Sequence, residues 1–492
     1  MAVCEGGQKS KKTVRNNMFY KMIRKILFLW GLILPSLANA EGITSGHEIV
    51  SLGKLLPIVA AAPFVLLLLC IAVLPLMIPH GWEHNKNKAI VSAALAIPFA
   101  LYLIIAFGPQ GQHELIHAGK DYFSFMALLA ALFIISGGIY IKGSAAGTPL
   151  SNCAYLAVGA VLANVIGTTG ASMVLIRPFI RANEKRVNKV HLIVFFIFIV
   201  SNCGGLLTPL GDPPLFLGFL KGVPFTWTFQ LWKEWLMVNG ILVLLFNFVD
   251  EYILDKEEAK YPGSELEALM IHEPMRIEGS QNILFLGGVV AVIIAKGQGW
   301  GFGGHDWPFG LQEGLMISLA FLSYLSTGSG LRKINKFTFS PILEVAILFA
   351  GIFITMIAPL LILNEHGKEL GLVHAWHYFW ASGSLSSFLD NAPTYLTFAA
   401  SACGQFGISV EGSKYLSELL TQGPEAAQIL MAISCGSVFM GANTYIGNGP
   451  NFMVKAIAEE NGIKMPSFFG YMLYSIGILI PIFIAVTFIL FR

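Results

Sequence analysis

An all-α polytopic membrane protein is predicted by three features of the chain. Apolar residues make up 55% of its 492 positions and charged residues only 12%, with a mean hydropathy of +0.68, which is more apolar surface than a soluble domain can bury. The apolar residues fall in runs of about 20, the length that crosses roughly 30 Å of hydrocarbon as a helix. Two stretches inside such runs, Gly205-Leu-Leu-Thr-Pro-Leu-Gly-Asp-Pro-Pro214 and Gly441-Ala-Asn-Thr-Tyr-Ile-Gly-Asn-Gly-Pro450, repeat Gly, Thr, Gly and Pro at the same offsets. Matched interruptions in two halves of a membrane chain point to a binding site, because unwound backbone at bilayer depth survives only where it lines a cavity.

The elements are read in order. Residues 1–40 carry a basic stretch to Lys25, an apolar core Ile26 to Leu34 and then Pro35-Ser-Leu-Ala-Asn-Ala40, the pattern of a signal peptide with an Ala-x-Ala site. Met18 or Met22 would serve equally well as its start. Cleavage after Ala40 would leave the mature N-terminus outside the cytoplasm, and an uncleaved first helix is the rival reading; either way the next helix enters from outside. Spans are expected at 55–78, 89–107, 123–141, 231–250, 281–296, 313–327, 338–363 and 466–491. Residues 151–181 and 374–403 are split by Gly167-Thr-Thr-Gly170 and Asp390-Asn-Ala-Pro393 into arms too short to cross separately, so both are expected to be re-entrant hairpins. Residues 190–220 and 425–461 contain the two repeated interruptions and are expected to be broken helices. The expected sum is about eleven transmembrane helices plus two hairpins.

Charge placement orients this series, since Lys and Arg near membrane ends are retained in the cytoplasm. With Glu41 outside, sixteen basic residues fall on the cytoplasmic side, including the cluster Arg177 to Lys189, against eight outside. The first hairpin then dips in from the cytoplasm and the second from outside. The chain reads as an inverted repeat: 41–250 begins outside, and 281–492 begins inside with the same series of parts. The two hairpin tips are 222 residues apart and the two broken-helix motifs 236. Between the halves, acids outnumber bases in 251–280, an acidic cytoplasmic linker.

Several function classes are disfavoured. The formal charge is +2 and no basic patch interleaves with aromatics, so nucleic acid is not an expected partner. The six cysteines, Cys4, Cys70, Cys153, Cys203, Cys403 and Cys435, form no CxxC pair and read as small apolar residues. GxSxG does not occur, and no cofactor is expected. His374 and His377 stand beside Trp376 and Trp380, the composition of an interfacial belt, and Glu344 reads as an interfacial acid.

Chemistry is expected at the interruptions, where half-helix ends carry partial charge. Oxygen-bearing side chains cluster there: Asn164, Thr168, Thr169, Ser172 and Thr208 in the first half, and Ser387, Asn391, Thr394, Asn443, Thr444 and Asn448 in the second. Such neutral oxygens suit a hard, weakly held cation such as sodium, whereas a transition metal would want His or Cys. Gly211 and Gly447 would let backbone approach the ion. Asp212 and Asp390 stand at helix breaks, and a carboxylate at membrane depth costs about 2.5–3.5 kcal/mol or more unless paired, protonated or solvated. One acid that takes either sodium or a proton would give mutually exclusive binding. The alternative reading of each acid is a cap on the following helical arm.

At these motifs the chain resembles the ion transporter superfamily, in particular NhaD-type sodium/proton antiporters and related citrate-transporter-like membrane proteins. Asn202-Cys-Gly-Gly-Leu-Leu-Thr-Pro-Leu-Gly-Asp-Pro-Pro214 and Leu389-Asp-Asn-Ala-Pro-Thr394 carry the match. The resemblance implies a homodimer and an elevator-like motion of the hairpins and broken helices against a scaffold. Sodium/dicarboxylate symporters of the superfamily carry Ser-Asn-Thr at both hairpin tips, where this chain has Gly167-Thr168-Thr169 and Asp390-Asn391-Ala392. The departure introduces an acid, which would repel a substrate carboxylate unless sodium lay between them. The expectation is therefore exchange of sodium or lithium for protons across a bacterial inner membrane, with Asp390 and Asp212 as titrating ligands. The rival is a sodium- or proton-coupled carrier of an organic anion such as citrate.

Overall fold

The structure is a computed structural model that describes residues 51–259, 273–302, 307–411 and 414–492. The expected signal peptide, 1–40, and linker residues 260–272 lie outside the described residues. Seven helical stretches among those described are long and apolar enough to cross a membrane: Ile58–Pro75, Asn85–Ser136, Pro149–Ala182, Phe225–Glu257, Ser340–Glu365, Pro424–Asn443 and Phe468–Leu490. The chain is an integral membrane protein with a nearly all-helical fold.

Numbering helices of six residues or more, the order is α1 Ala62–Met77, α2 Asn85–Ser136, strand β1 Tyr140–Ser144, α3 Pro149–Ala182, α4 Val190–Ile199, α5 Pro213–Leu220 and α6 Trp232–Glu258. Strand β2 Glu273–Glu278 follows, then α7 Gln281–Gly297, α8 Leu311–Ser326, α9 Ser329–Ile334, α10 Ser340–Thr355 and α11 Ile357–Glu365. The remainder is α12 Ala375–Ser386, α13 Asn391–Gln405, α14 Tyr415–Thr421, α15 Pro424–Met440, α16 Gly449–Glu460 and α17 Phe468–Leu490. Two compact units divide this series. One holds residues 51–122, 339–370 and 403–411; the other holds 123–338, 371–402 and 414–492.

In the first unit, α2 bends at Gly108, whose φ of +51° is open to glycine at little cost, and Pro109 follows. The unit is pinned by polar contacts inside apolar packing. Buried Lys88 reaches Glu344 at 2.6 Å, Ser92 donates to the Ile347 carbonyl at 3.0 Å, and Asn364 donates to the Ile408 carbonyl at 2.7 Å. Glu344, read from the sequence as an interfacial acid, is thus the partner of a buried lysine.

The second unit holds the interruptions. Helix α3 begins on a Thr148 cap with Pro149 at its first position and breaks at Gly167, at φ +76° and ψ 155°. The two arms then lie side by side: the Asn152 and Asn183 side chains exchange hydrogen bonds of 2.9 and 2.8 Å, and the Tyr155 ring stacks on Phe179 at 5.3 Å. Residues 149–182 therefore form a helical hairpin. Helices α12 and α13 are separated by a second break at 387–390. Helix α12 packs on α15 through small residues; a Cβ on Gly436 would lie 2.4 Å from the Phe379 carbonyl oxygen, so the helices approach as closely as backbone permits. Residues 190–220 divide into α4, a 3-10 turn Cys203–Leu206 and α5, and residues 424–460 divide into α15, a 3-10 turn Gly441–Asn443 and α16.

One element departs from the all-helical expectation. β1 and β2 pair antiparallel with Tyr140 opposite Glu278 and Lys142 opposite Arg276, and the register shifts between Lys142 and Ser144. Part of the stretch read as a solvated linker is therefore a strand, and α6 extends through its beginning to Glu258. The sequence signal is weak because six residues of mixed charge and apolarity, Glu-Pro-Met-Arg-Ile-Glu, suit a strand as well as a coil.

A buried ionic network closes the base of the first hairpin. Arg186 donates to Asp250 at 2.7 Å and to Glu257 at 3.3 Å; Asp250 also meets His191 at 2.9 Å and accepts from Asn152 at 3.0 Å. Glu257 accepts from the Asn188 backbone and side chain, both at 2.7 Å. Both ends of the hairpin are thereby tied to α4 and α6. Removing one partner of such a pair leaves an uncompensated buried charge. Arg186→Ala is expected to lower stability by about 3–5 kcal/mol, read as a fall in the thermal unfolding midpoint of the purified protein in detergent.

Candidate functional site

Each break supplies a loop of polar backbone, and the two are built alike. Asp212 at φ −145°, ψ 147° precedes α5, and Asn448 at φ −152°, ψ 142° precedes α16. These positions are 236 residues apart, the spacing of the repeated motif. Neither side chain caps its own helix. They point at each other instead, and Asn448 Nδ2 donates to Asp212 Oδ1 at 3.2 Å.

Glycine is required at both loops. A Cβ on Gly211 would lie 2.1 Å from the Gly205 carbonyl oxygen, and one on Gly447 would lie 2.5 Å from that of Gly441. The Gly211 carbonyl accepts from the Thr168 backbone N–H at 2.8 Å, which docks the tip of the first hairpin on the first break. Asn164 binds that break from the other hairpin arm: it accepts from the Leu207 N–H at 2.7 Å and donates to the Gly204 carbonyl at 2.7 Å, while Thr208 donates to its carbonyl at 2.5 Å.

Asp212 is the centre of the site, with 1% of its surface exposed. Its carboxylate accepts from the Thr168 hydroxyl at 2.7 Å, from Asn391 Nδ2 and from Asn448. Three elements far apart in sequence thus converge on one acid. All three donors are neutral, and among the described residues no Lys, Arg or His lies within ion-pair distance of it. Asn391 Oδ1 beside it is buried and unpartnered, so an acceptor oxygen faces the site with its lone pairs unused.

Asp390 is held differently. It is half-buried and accepts the Ala392 N–H at 3.1 Å, the capping geometry of an acid two residues ahead of a free amide. It lies within electrostatic reach of Asp212 without touching it. Thr394 returns its hydroxyl to the Asp390 carbonyl at 2.9 Å. Thr169, beside Thr168, is half-buried and is not a donor to Asp212.

The remaining residues gather at the second break. Asn443 donates to the Ser387 hydroxyl at 2.9 Å, and Thr444 donates to the Ser387 carbonyl at 2.5 Å while accepting the Gly447 N–H at 3.1 Å. Asn443 Oδ1 and the Ser437 hydroxyl are buried there without partners. The structure thus divides the expected oxygens between a carboxylate-centred group and a neutral group. Ser172 belongs to neither, as its hydroxyl pairs with that of Ser201 at 2.8 Å.

Two central residues escape the sequence reading of the site. Asn202 and Asn451, both fully buried, join the breaks through Asn202 Nδ2 to Asn451 Oδ1 at 2.6 Å. Comparing the halves misses them because the positions 236 away are Val438 and Leu215. The available signal was an amide in an otherwise apolar run, which must find partners when buried.

Comparison with known proteins places this architecture. The family described as "Putative citrate transport" matches residues 53–491, and the chain belongs to that family of membrane transport proteins. It is also similar to a probable Na(+)/H(+) antiporter of Schizosaccharomyces pombe, at 26% identity over 175 residues, covering 33% of this chain and 18% of that protein. The chain thus spans less than a fifth of that relative's length.

Because the carbonyl of Gly205 occupies the space a methyl group would need, Gly211→Ala is expected to spread the first break and separate it from the Thr168 N–H. The thermal unfolding midpoint of the purified protein should then fall, while Gly240→Ala, where a Cβ meets nothing within 4 Å, should leave it near the wild-type value.

Proposed function

We propose that the chain is a secondary active antiporter that exchanges sodium, and lithium as a second substrate, for protons. The observation that supports this is the Asp212 carboxylate, buried, held only by neutral donors and without a basic partner among the described residues. A lone buried charge is costly, and either a bound proton or a bound cation offsets it. The two cannot share the same carboxylate oxygen, so binding is competitive, which is the elementary requirement of exchange. Asn391 Oδ1 supplies a further ligand oxygen, and Thr168 and Asn448 hold the carboxylate in place. Asp390 adds a second negative charge nearby and favours a cation over an anion. Asn443, Thr444, Ser387 and Ser437 offer a second group of neutral oxygens suited to a hard monovalent ion.

In this reading 41–250 and 281–492 are inverted repeats, the two hairpins are re-entrant, and the chain works as a homodimer in an inner membrane. The resemblance of one third of the chain to a probable Na(+)/H(+) antiporter agrees with it. The family description favours a second reading, cation-coupled transport of citrate or a similar organic anion. Against it stand two acids, Asp212 and Asp390, at the place where substrate carboxylates would bind.

In everted membrane vesicles carrying a pH-sensitive dye, sodium and lithium are expected to release protons, while potassium and citrate are not. Asp212→Asn should reduce this release to background; full exchange by that variant would reject the assignment. Asp390→Asn keeps an oxygen for the Ala392 cap and removes only charge, so it should stay folded and lose exchange. Thermal stabilisation by citrate rather than by sodium would favour the second reading.

A further inference from the structure

The amide chain behind Asp212 has an unequal supply of protons and acceptors. Asn448 Nδ2 carries two hydrogens but faces three acceptors: Asp212 Oδ1 at 3.2 Å, Asn202 Oδ1 at 3.1 Å and the Ser201 carbonyl at 3.2 Å. Its neighbours have no such surplus. Asn202 Nδ2 spends its two hydrogens on the Ile197 carbonyl at 2.8 Å and Asn451 Oδ1 at 2.6 Å. Asn451 Nδ2 spends its two on the Gly441 carbonyl at 2.8 Å and the Thr444 carbonyl at 2.9 Å. The orientation of Asn451 is fixed by two carbonyls of the second break, and Asn451 in turn fixes Asn202, whose oxygen must face Asn448.

We propose that Asn202, locked by Asn451, is a positioning residue that gives Asn448 an alternative acceptor, so that Asn448 can release Asp212 without leaving its own N–H groups unpaired. With Asp212 ionised, Asn448 shares its hydrogens with the carboxylate. When a proton or cation arrives there, Asn448 gives both hydrogens to Asn202 and Ser201. The desolvation penalty that an abandoned N–H would incur is avoided, and the carboxylate changes partner cheaply. Because the lock consists of the Gly441 and Thr444 carbonyls, any shift of the second break on ion binding reaches Asp212 through these two amides. The proposal rests on the antiport reading and adds to it the device that lets the acid alternate.

The titratable groups facing Asp212 are Asp390 from the tip between α12 and α13 and the Cys203 thiol from the 3-10 turn; Thr168, Asn391 and Asn448 are neutral. The sign of the effect follows from the hydrogen count. Without the Asn202 oxygen, Asn448 donates more fully to ionised Asp212, so the proton competes less well.

The test measures sodium-induced proton release in everted vesicles over a series of pH values, for the wild type, Asn202→Ala and Asn451→Ser. Asn202→Ala should move the pH midpoint down by roughly half a unit, about threefold in proton affinity, and lower the half-maximal sodium concentration at acid pH. Asn451→Ser, which loosens the lock but keeps the Asn202 oxygen, should shift both the same way by less, and it decides the matter if Asn202→Ala does not fold. An active wild type with variants that lose only maximal rate, at unchanged pH midpoint and sodium dependence, would overturn the proposal and leave the antiport reading intact. A wild type without sodium-induced release would remove both.

Discussion

A carboxylate without a counter-charge in an apolar interior governs the architecture of this site. Asp212 needs hydrogen-bond donors from several directions, and a continuous helix offers none, because its N–H groups are already used. The chain meets the requirement by breaking helices at the same place. The first hairpin turns at Gly167 so that Thr168 can donate from its side chain to Asp212 and from its backbone to Gly211. The interruption before α13 delivers Asn391, and the break before α16 delivers Asn448. Each break exposes backbone groups of its own, and these are paired with one another or with Asn164, Asn451 and Thr444. The glycines at 205, 211 and 447 are therefore consequences of the acid's demand: only backbone without a Cβ brings these loops close enough together.

The near-equivalence of the two breaks sharpens the point, because they differ where they meet. Asp212 and Asn448 occupy corresponding positions with nearly the same backbone angles and hydrogen-bond to each other. Two aspartates at this separation could not both ionise, and one would hold its proton at the expense of any cation. Two asparagines would pair well but carry no charge to exchange. One acid and one amide give a matched acceptor and donor and a single negative charge at the junction. Divergence between the halves at this one position sets the charge there.

Much of this was legible in the sequence because interruptions in apolar runs are rare and strongly constrained. Gly, Thr, Gly and Pro at matched offsets located both breaks to within a residue or two, and Gly167 marked the first hairpin tip through the backbone freedom it supplies. Side-chain pairing was less legible. Asn202 and Asn451 have no counterparts at the repeat spacing, and the pattern contains nothing to say that one amide reaches the other across 249 positions. The network of Arg186, Asp250, Glu257 and His191 was hidden for a different reason. Charges near the ends of apolar runs are normally solvated or snorkelling, so that nothing short of tertiary packing separates a buried ion pair from a topological marker. Asp390 shows the converse: its capping role is local, two residues long, and was an open alternative in the sequence itself.

The buried network also constrains how the second unit can move. The hairpin formed by α3 is held at its tip by hydrogen bonds to Asp212 and Gly211, and at its base by ions. Separating Arg186 from Asp250 would break a buried ion pair, at a cost of about 3–5 kcal/mol, whereas the tip is held by hydrogen bonds alone. In the proposed exchange, rearrangement would therefore be confined to the tip and the breaks, and α3, α4 and α6, joined by the network, would travel together in any larger displacement. Under the proposed antiport, a proton or a cation at Asp212 would thus act on a body already tied together at its base by ion pairs.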